Sequence, residues 1–126
     1  EAAMLLDASR SMIHVTSRAA DLGINPDRLR RMVSEAKRFV TESCQKAVHH
    51  AMQVMGGIGY TNIFPIERIA RDLRLASIWT GSNEIMNMII AHEWYREYFK
   101  TKKANLSRDF ECDAIGAFDL EEKVYE

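Results

Sequence analysis

Apolar residues recur three and four apart from the start of the chain. Leu5, Ala8, Met12, Val15, Ala19 and Leu22 fall on one stripe, with Asp7, Arg10, Ser17 and Arg18 on the polar side. That is the helical period, and it predicts a helix over residues 1–22, about 33 Å long at ~1.5 Å per residue. Gly23 ends it, and Asn25, Pro26 and Asp27 open the next with a cap residue, a proline at the first helical position and an acid at the positive end of the dipole. Leu29, Met32, Val33, Ala36, Val40, Ala47, Ala51 and Val54 carry the stripe through a second helix over residues 26–55. Phe39, Cys44 and Val48 widen that stripe, so another helix or another subunit should cover them. Two long helices joined by a short loop predict an antiparallel hairpin. Pro65 opens a short charged helix over residues 65–77, in which Arg68 and Asp72 are spaced to pair. A last helix over residues 82–100 carries Ile85, Met88, Ile89, His92 and Phe99 on one side. Trp94, Tyr95, Tyr98 and Phe99 crowd its end, as at a packed core edge or an oligomer contact. The expected fold class is all-α, an up-down helical bundle.

The length of 126 residues bounds this to one domain. The bundle domain takes residues 1–100. Residues 101–126 form an acidic tail, with seven Asp or Glu against four Lys or Arg. In the tail Phe110, Ile115, Phe118 and Leu120 lack sustained helical spacing, which reads as a segment lying on the bundle, on a neighbouring subunit, or partly disordered. The first residue already lies inside the helical pattern without a cap, the expectation for a piece of a longer protein whose bundle is incomplete at the N-terminus. A net charge of −1 and a pI near 6.5 give no electrostatic case for nucleic acid or an anionic membrane. No apolar run approaches the ~20 residues of a membrane span. Cys44 and Cys112 lack ligand or disulfide-framework spacing, which fits a reducing, intracellular compartment: cytoplasmic, or mitochondrial in a eukaryote. No metal site is expected. His49 and His50 are adjacent and point about 100° apart on a helix, and His92-Glu93 lacks its second histidine because Arg96 stands there.

Two glycine-bearing turns, linked by the short helix, are expected to make a site. Gly56, Gly57 and Gly59 end the second helix and let a ligand approach the backbone. Gly81, Ser82 and Asn83 stand at a helix start, where unsatisfied N–H groups and the dipole favour an anion. The plainer reading makes both turns simple helix caps.

Four blocks in order, with their gaps, resemble the C-terminal signature of the acyl-CoA dehydrogenase family. They are Gln53, Val54, Met55, Gly56, Gly57, Ile58, Gly59 and Tyr60; Pro65, Ile66, Glu67 and Arg68; Arg71 and Asp72; and Ile78, Trp79, Thr80, Gly81, Ser82, Asn83, Glu84 and Ile85. The resemblance covers roughly residues 1–100 in helix pattern, and its discriminating motifs lie within residues 53–90. It implies FAD as cofactor, an acyl-CoA thioester as substrate, and α,β-desaturation in which a carboxylate takes the α-proton as the β-hydride passes to flavin. It further implies that Gln53, Val54, Met55, Gly56 and Gly57 touch the adenine side of FAD held mainly by another subunit. Ser82, Asn83 and Glu84 would contact FAD after the second turn, and Gly81 would contact substrate. Those roles require a homo-oligomer, a dimer or tetramer, with an electron acceptor such as an electron-transfer flavoprotein. The resemblance also puts Arg71 and Asp72 where they could brace the two turns, the alternative being a solvated, ion-paired helix face.

Two residues depart from the family pattern. Ile63 stands where an acidic residue or Asn is usual. Thr80 stands where many members have the glutamate base, and a threonine hydroxyl is not ionised near neutral pH. The catalytic base is therefore unassigned and expected on an earlier helix that would precede Glu1. A non-catalytic oligomerisation or binding bundle of the same shape, and an acyl-CoA oxidase, are the alternatives.

Overall fold

A computed structural model describes the backbone of residues 1–104 and the side chains of residues 1–100. It is all-α. Helix α1 spans Ala2–Asp21, α2 Pro26–Met55, α3 Ile66–Ala76 and α4 Asn83–Ala104, with a 3-10 turn over Gly56–Tyr60 closing α2. The ends lie within a residue or two of those read from the sequence, except that α4 continues four residues past the expected 100. The rest of the acidic tail, with Phe110, Cys112, Ile115, Phe118 and Leu120, lies outside the described residues. Glu1–Trp94 form one compact unit. In the separate unit from Tyr95 onward, Phe99 stacks on Tyr95 at 6.5 Å between ring centroids and meets Tyr98 edge-on at 5.5 Å.

The hairpin of α1 and α2 follows from its loop. Gly23 takes φ +63, the left-handed conformation that ends a helix, and its N–H donates to Ala20 O at 3.0 Å. Asn25 Oδ1 accepts from the Asp27 N–H at 2.9 Å, so α2 starts on a side-chain cap. At the far end of the hairpin His50 Nε2 lies 3.5 Å from Glu1 Oε2, which fixes the antiparallel sense.

The buried seam differs from the expected stripes. Buried on α1 are Ser9 and Ala19, and on α2 Ser34, Ala36, Ser43 and Ala47 together with Arg31. Ser9 and Ser34 turn their hydroxyls back onto the carbonyls of Leu5 and Arg30, which satisfies them inside the seam. The inward face of α1 follows Ala2, Leu5, Ser9, Met12, Thr16 and Ala19, about one position out of phase with the expected stripe, so Ala8, Val15 and Leu22 are exposed, as are Val33 and Val54 on α2. Phe39 is also exposed, so nothing described covers it.

Helix α2 is the post on which the other elements hang. Gln45 Nε2 donates to Leu73 O at 2.9 Å, tying α3 to it. Thr41 and Lys37 meet Asn83 at the start of α4, while Arg30 meets Glu93 ten residues further along α4 at 3.2 Å, so α4 runs antiparallel to α2. On α3 the ion pair is Arg71 with Glu67, not the expected Arg68 with Asp72: Arg71 Nε and Nη2 donate to Glu67 at 3.0 and 3.2 Å. The acid precedes the base in that pair, the orientation an α-helix favours at this spacing.

Candidate functional site

The first turn starts where α2 stops. Gly56 takes φ +63 and its N–H donates to Gln53 O. Gly59 is buried, and a Cβ on it would lie 3.0 Å from both Met52 O and Met55 Cβ, so α2 itself demands glycine there. A Cβ on Gly57 would meet nothing within 4 Å, and Gly57 is not in the left-handed region. Gln53, Val54, Gly56 and Gly57 all face outward, with Val54 89% exposed, while Met55 is half-buried.

The second turn is built differently. Ile78 and Trp79 are exposed, Thr80 takes φ +49 and Gly81 φ +92. A Cβ on Gly81 would lie 2.7 Å from Met86 Cε. Lys37 Nζ donates to the Gly81 carbonyl and to Asn83 Oδ1, both at 2.8 Å. Asn83 Nδ2 donates to Thr41 Oγ1 at 3.1 Å, and the Asn83 N–H donates to Ser77 O at 3.1 Å. Asn83 is thus only 7% exposed, and its side chain is committed to α2.

Glu84 points outward at the first turn of α4. A hydrogen bond from Ser82 holds its carboxyl below the ordinary glutamate range, helped by its own backbone N–H and by the charges of Arg74 and Lys37. The positive end of α4 is therefore already served by an ionised side chain, which makes it a poor seat for a phosphate.

The two turns are not side by side. Lys37 binds the second, Gly56 opens the first, and α2 runs unbroken between them at ~1.5 Å per residue. Allowing for the reach of the lysine side chain, the turns lie on the order of 20 Å apart. Arg71 does not brace them, because both its hydrogen bonds go to Glu67 within α3. A polar notch of about 180 Å³ at the foot of α4 is lined by Glu42, Gln45, Arg74, Ser77, Ser82 and Glu84. It is smaller than the ~300–1,000 Å³ usual for an enclosed ligand.

Lys37 and Thr41, which position the second turn, and Gln45, which ties α3 to α2, were not singled out in the sequence. The available signal was Lys37 and Thr41 four apart, bordering the apolar stripe of α2. A second cluster also went unread. Glu93, only 2% exposed, takes Arg30, while Glu35 Oε1 accepts from Arg31 at 3.1 Å and from Trp94 Nε1 at 3.2 Å. The Arg31 guanidinium lies 4.0 Å over the Trp94 ring. Among the described residues no group of three or more His, Cys, Asp or Glu gathers as metal ligands, and no helix is long and apolar enough to cross a membrane.

A family model described as acyl-CoA dehydrogenase, C-terminal domain, matches residues 1–94. Among curated proteins the chain is 37% identical over 93 residues to cyclohexane-1-carbonyl-CoA dehydrogenase of Syntrophus aciditrophicus (strain SB), covering 74% of this chain and 23% of that protein. It is 33% identical over 96 residues to the short-chain specific acyl-CoA dehydrogenase, mitochondrial, of Bos taurus, covering 76% and 23%. To the 3-(aryl)acrylate reductase of Clostridium sporogenes (strain ATCC 15579) it is 35% identical over 86 residues, covering 68% and 22%. The chain matches only about a quarter of the length of these relatives. With the family match spanning both glycine turns and the helices that carry them, the chain belongs to the acyl-CoA dehydrogenase family.

Proposed function

We propose that the full-length protein is an FAD-dependent acyl-CoA dehydrogenase that desaturates an acyl-CoA thioester between its α and β carbons, and that the two turns of this chain contact cofactor and substrate. Gly57 carries the reading. The other three glycines of the turns have internal reasons: positive φ at Gly56 and Gly81, and the neighbouring Met52 and Met55 at Gly59. Gly57 has neither, so its missing side chain leaves open backbone facing outward. A nucleotide phosphate needs that kind of close approach.

FAD fits this arrangement in part. The first turn offers exposed backbone and the outward side chains of Gln53 and Val54, with Met55 half-buried behind them. At the second turn Ser82 and Gly81 present the backbone, whereas Asn83 contributes by holding the turn. When bound, FAD supplies the acceptor for the substrate's β-hydride. The hydroxyl of Thr80 does not take the α-proton. Glu84 is engaged with Ser82, and Glu93 is buried on Arg30, so the base is a carboxylate contributed by another part of the full protein. By its resemblance to the family, the first turn serves FAD held mainly by another subunit, so the working unit is a homo-oligomer. An electron-transfer flavoprotein is the expected acceptor, and the compartment is cytoplasmic or mitochondrial.

The test is the absorbance spectrum of the purified full-length protein, followed by anaerobic addition of acyl-CoA. Flavin bands that bleach support the reading. Gly57→Ala should raise the flavin dissociation constant roughly tenfold while leaving stability unchanged or higher by about 0.5 kcal/mol. Wild-type flavin affinity in that variant would remove the observation on which the reading rests. Thr80 favours a second reading, a bundle that binds or assembles without dehydrogenation. Bound flavin that no acyl-CoA bleaches would support it, and rapid reoxidation by oxygen would point to an acyl-CoA oxidase.

A further inference from the structure

The geometry points to Lys37 as the positioning residue of the second turn, aiming the Ser82 amide at the bound flavin. The inference rests on the reading that this turn meets the cofactor. Two successive residues, Thr80 and Gly81, hold left-handed dihedrals, and Thr80 is β-branched. Such a residue is strained and persists only where its surroundings impose it. The Lys37 ammonium imposes it, donating at 2.8 Å to two acceptors separated in the chain only by Ser82. A charge-assisted hydrogen bond is stronger than a neutral one, which suits it to holding a strained turn.

Peptide planarity carries the consequence outward. In a trans peptide the carbonyl and the following N–H point in opposite directions. Drawing the Gly81 carbonyl onto α2 therefore turns the Ser82 N–H away from α2, and no hydrogen-bond partner for it is found among the described residues. Lys37 reaches no ligand itself. It sets the angle of a donor that does. Thr41 and Asn83 complete the hold, with Thr41 Oγ1 3.2 Å from Asn83 Oδ1.

The test uses the full-length holoprotein with Lys37→Met, which keeps the stem and removes the donors. Flavin should dissociate roughly tenfold more readily, with a displaced visible band. The amides of Asn83 and Met86, both hydrogen-bonded in the native turn, should exchange hydrogen roughly tenfold faster. Those of Ile24 and Leu29, in the α1–α2 loop, should exchange as in wild type. Lys37→Arg, which keeps a cationic donor, should recover most of the affinity. If Lys37→Met does not fold, Lys37→Gln reads the same quantities at smaller amplitude. Unchanged exchange at Asn83 would overturn the claim that Lys37 holds the turn. Faster exchange with wild-type flavin affinity and spectrum would overturn its aim at the cofactor and leave the dehydrogenase reading standing, as bleaching would show. A wild-type protein without flavin would sink that reading instead, and the exchange measurement would still decide whether Lys37 fixes the turn.

Discussion

Thr80 and Gly81 both take left-handed backbone, at φ +49 and +92, and only one of them is glycine. Thr80→Gly removes strain of about 1–3 kcal/mol and adds about 0.4–1 kcal/mol of unfolded-chain entropy, so a net gain of roughly 1 kcal/mol is expected in urea unfolding. A loss of stability would show that the threonine is not strained. Gly81→Ala should move the other way by at least about 1 kcal/mol, because its dihedral is unsuited to a side chain and its Cβ would displace Met86 Cε. Glu84 adds a pH dependence. Its folded pKa lies below the ordinary value of 4.5, so its contribution to stability is present above that value and lost as pH falls through the folded pKa. Glu84→Gln should therefore be the less stable protein near neutral pH, and its difference from wild type should shrink as the pH is lowered past 4.5. A difference constant across the titration would mean that the carboxylate is not what Ser82 holds.

At the scale of elements, α2 does more than the hydrophobic pattern implied, because its polar residues fix the second turn. Asn83→Ala removes the acceptor of Lys37 and the partner of Thr41 from a buried position, and should cost about 2 kcal/mol in a denaturant melt. A cost below 0.5 kcal/mol, as is typical of surface substitutions, would show the tether to be incidental. The helices themselves were legible because their ends are written locally: Gly23 needs its left-handed dihedral, Asn25 caps α2, and Pro65 stands just before α3. The glycine turns were legible as sequence blocks, but their separation was not, since it depends on how far α2 carries the chain between them. The tethers escaped because they join residues 28 to 63 apart in the chain, where local spacing carries no signal. The buried seam was misjudged for a related reason. The helical period of α1 is legible in the sequence but its phase is set by the helix it packs on, and so Ser9 and Thr16 turn inward while Ala8 and Val15 do not.

For the whole molecule, the balance of buried and exposed apolar surface predicts incomplete self-sufficiency. The apolar residues buried among the described ones are Ala19, Ala36, Ala47 and Met86, three of them alanines. Met4, Ile13, Val33, Phe39, Ile85 and Met88 remain exposed, and an open apolar groove of about 490 Å³ runs between α1 and α2 past Ile13, Ala20, Val33 and Val40. At ~25 cal/mol per Å², alanine-sized burial yields little against a backbone entropy cost of about 1–2 kcal/mol per residue. The 126-residue chain on its own should therefore be helical in far-ultraviolet circular dichroism, yet melt broadly, bind a hydrophobic dye and associate with itself. The full-length protein, with these faces covered, should melt sharply and leave the dye unbound. Equilibrium sedimentation of the isolated chain provides the decisive measurement. A monomer with one sharp transition and no dye binding would mean that serines and alanines packed at close range suffice, and that the exposed faces are ordinary surface rather than surfaces awaiting cover.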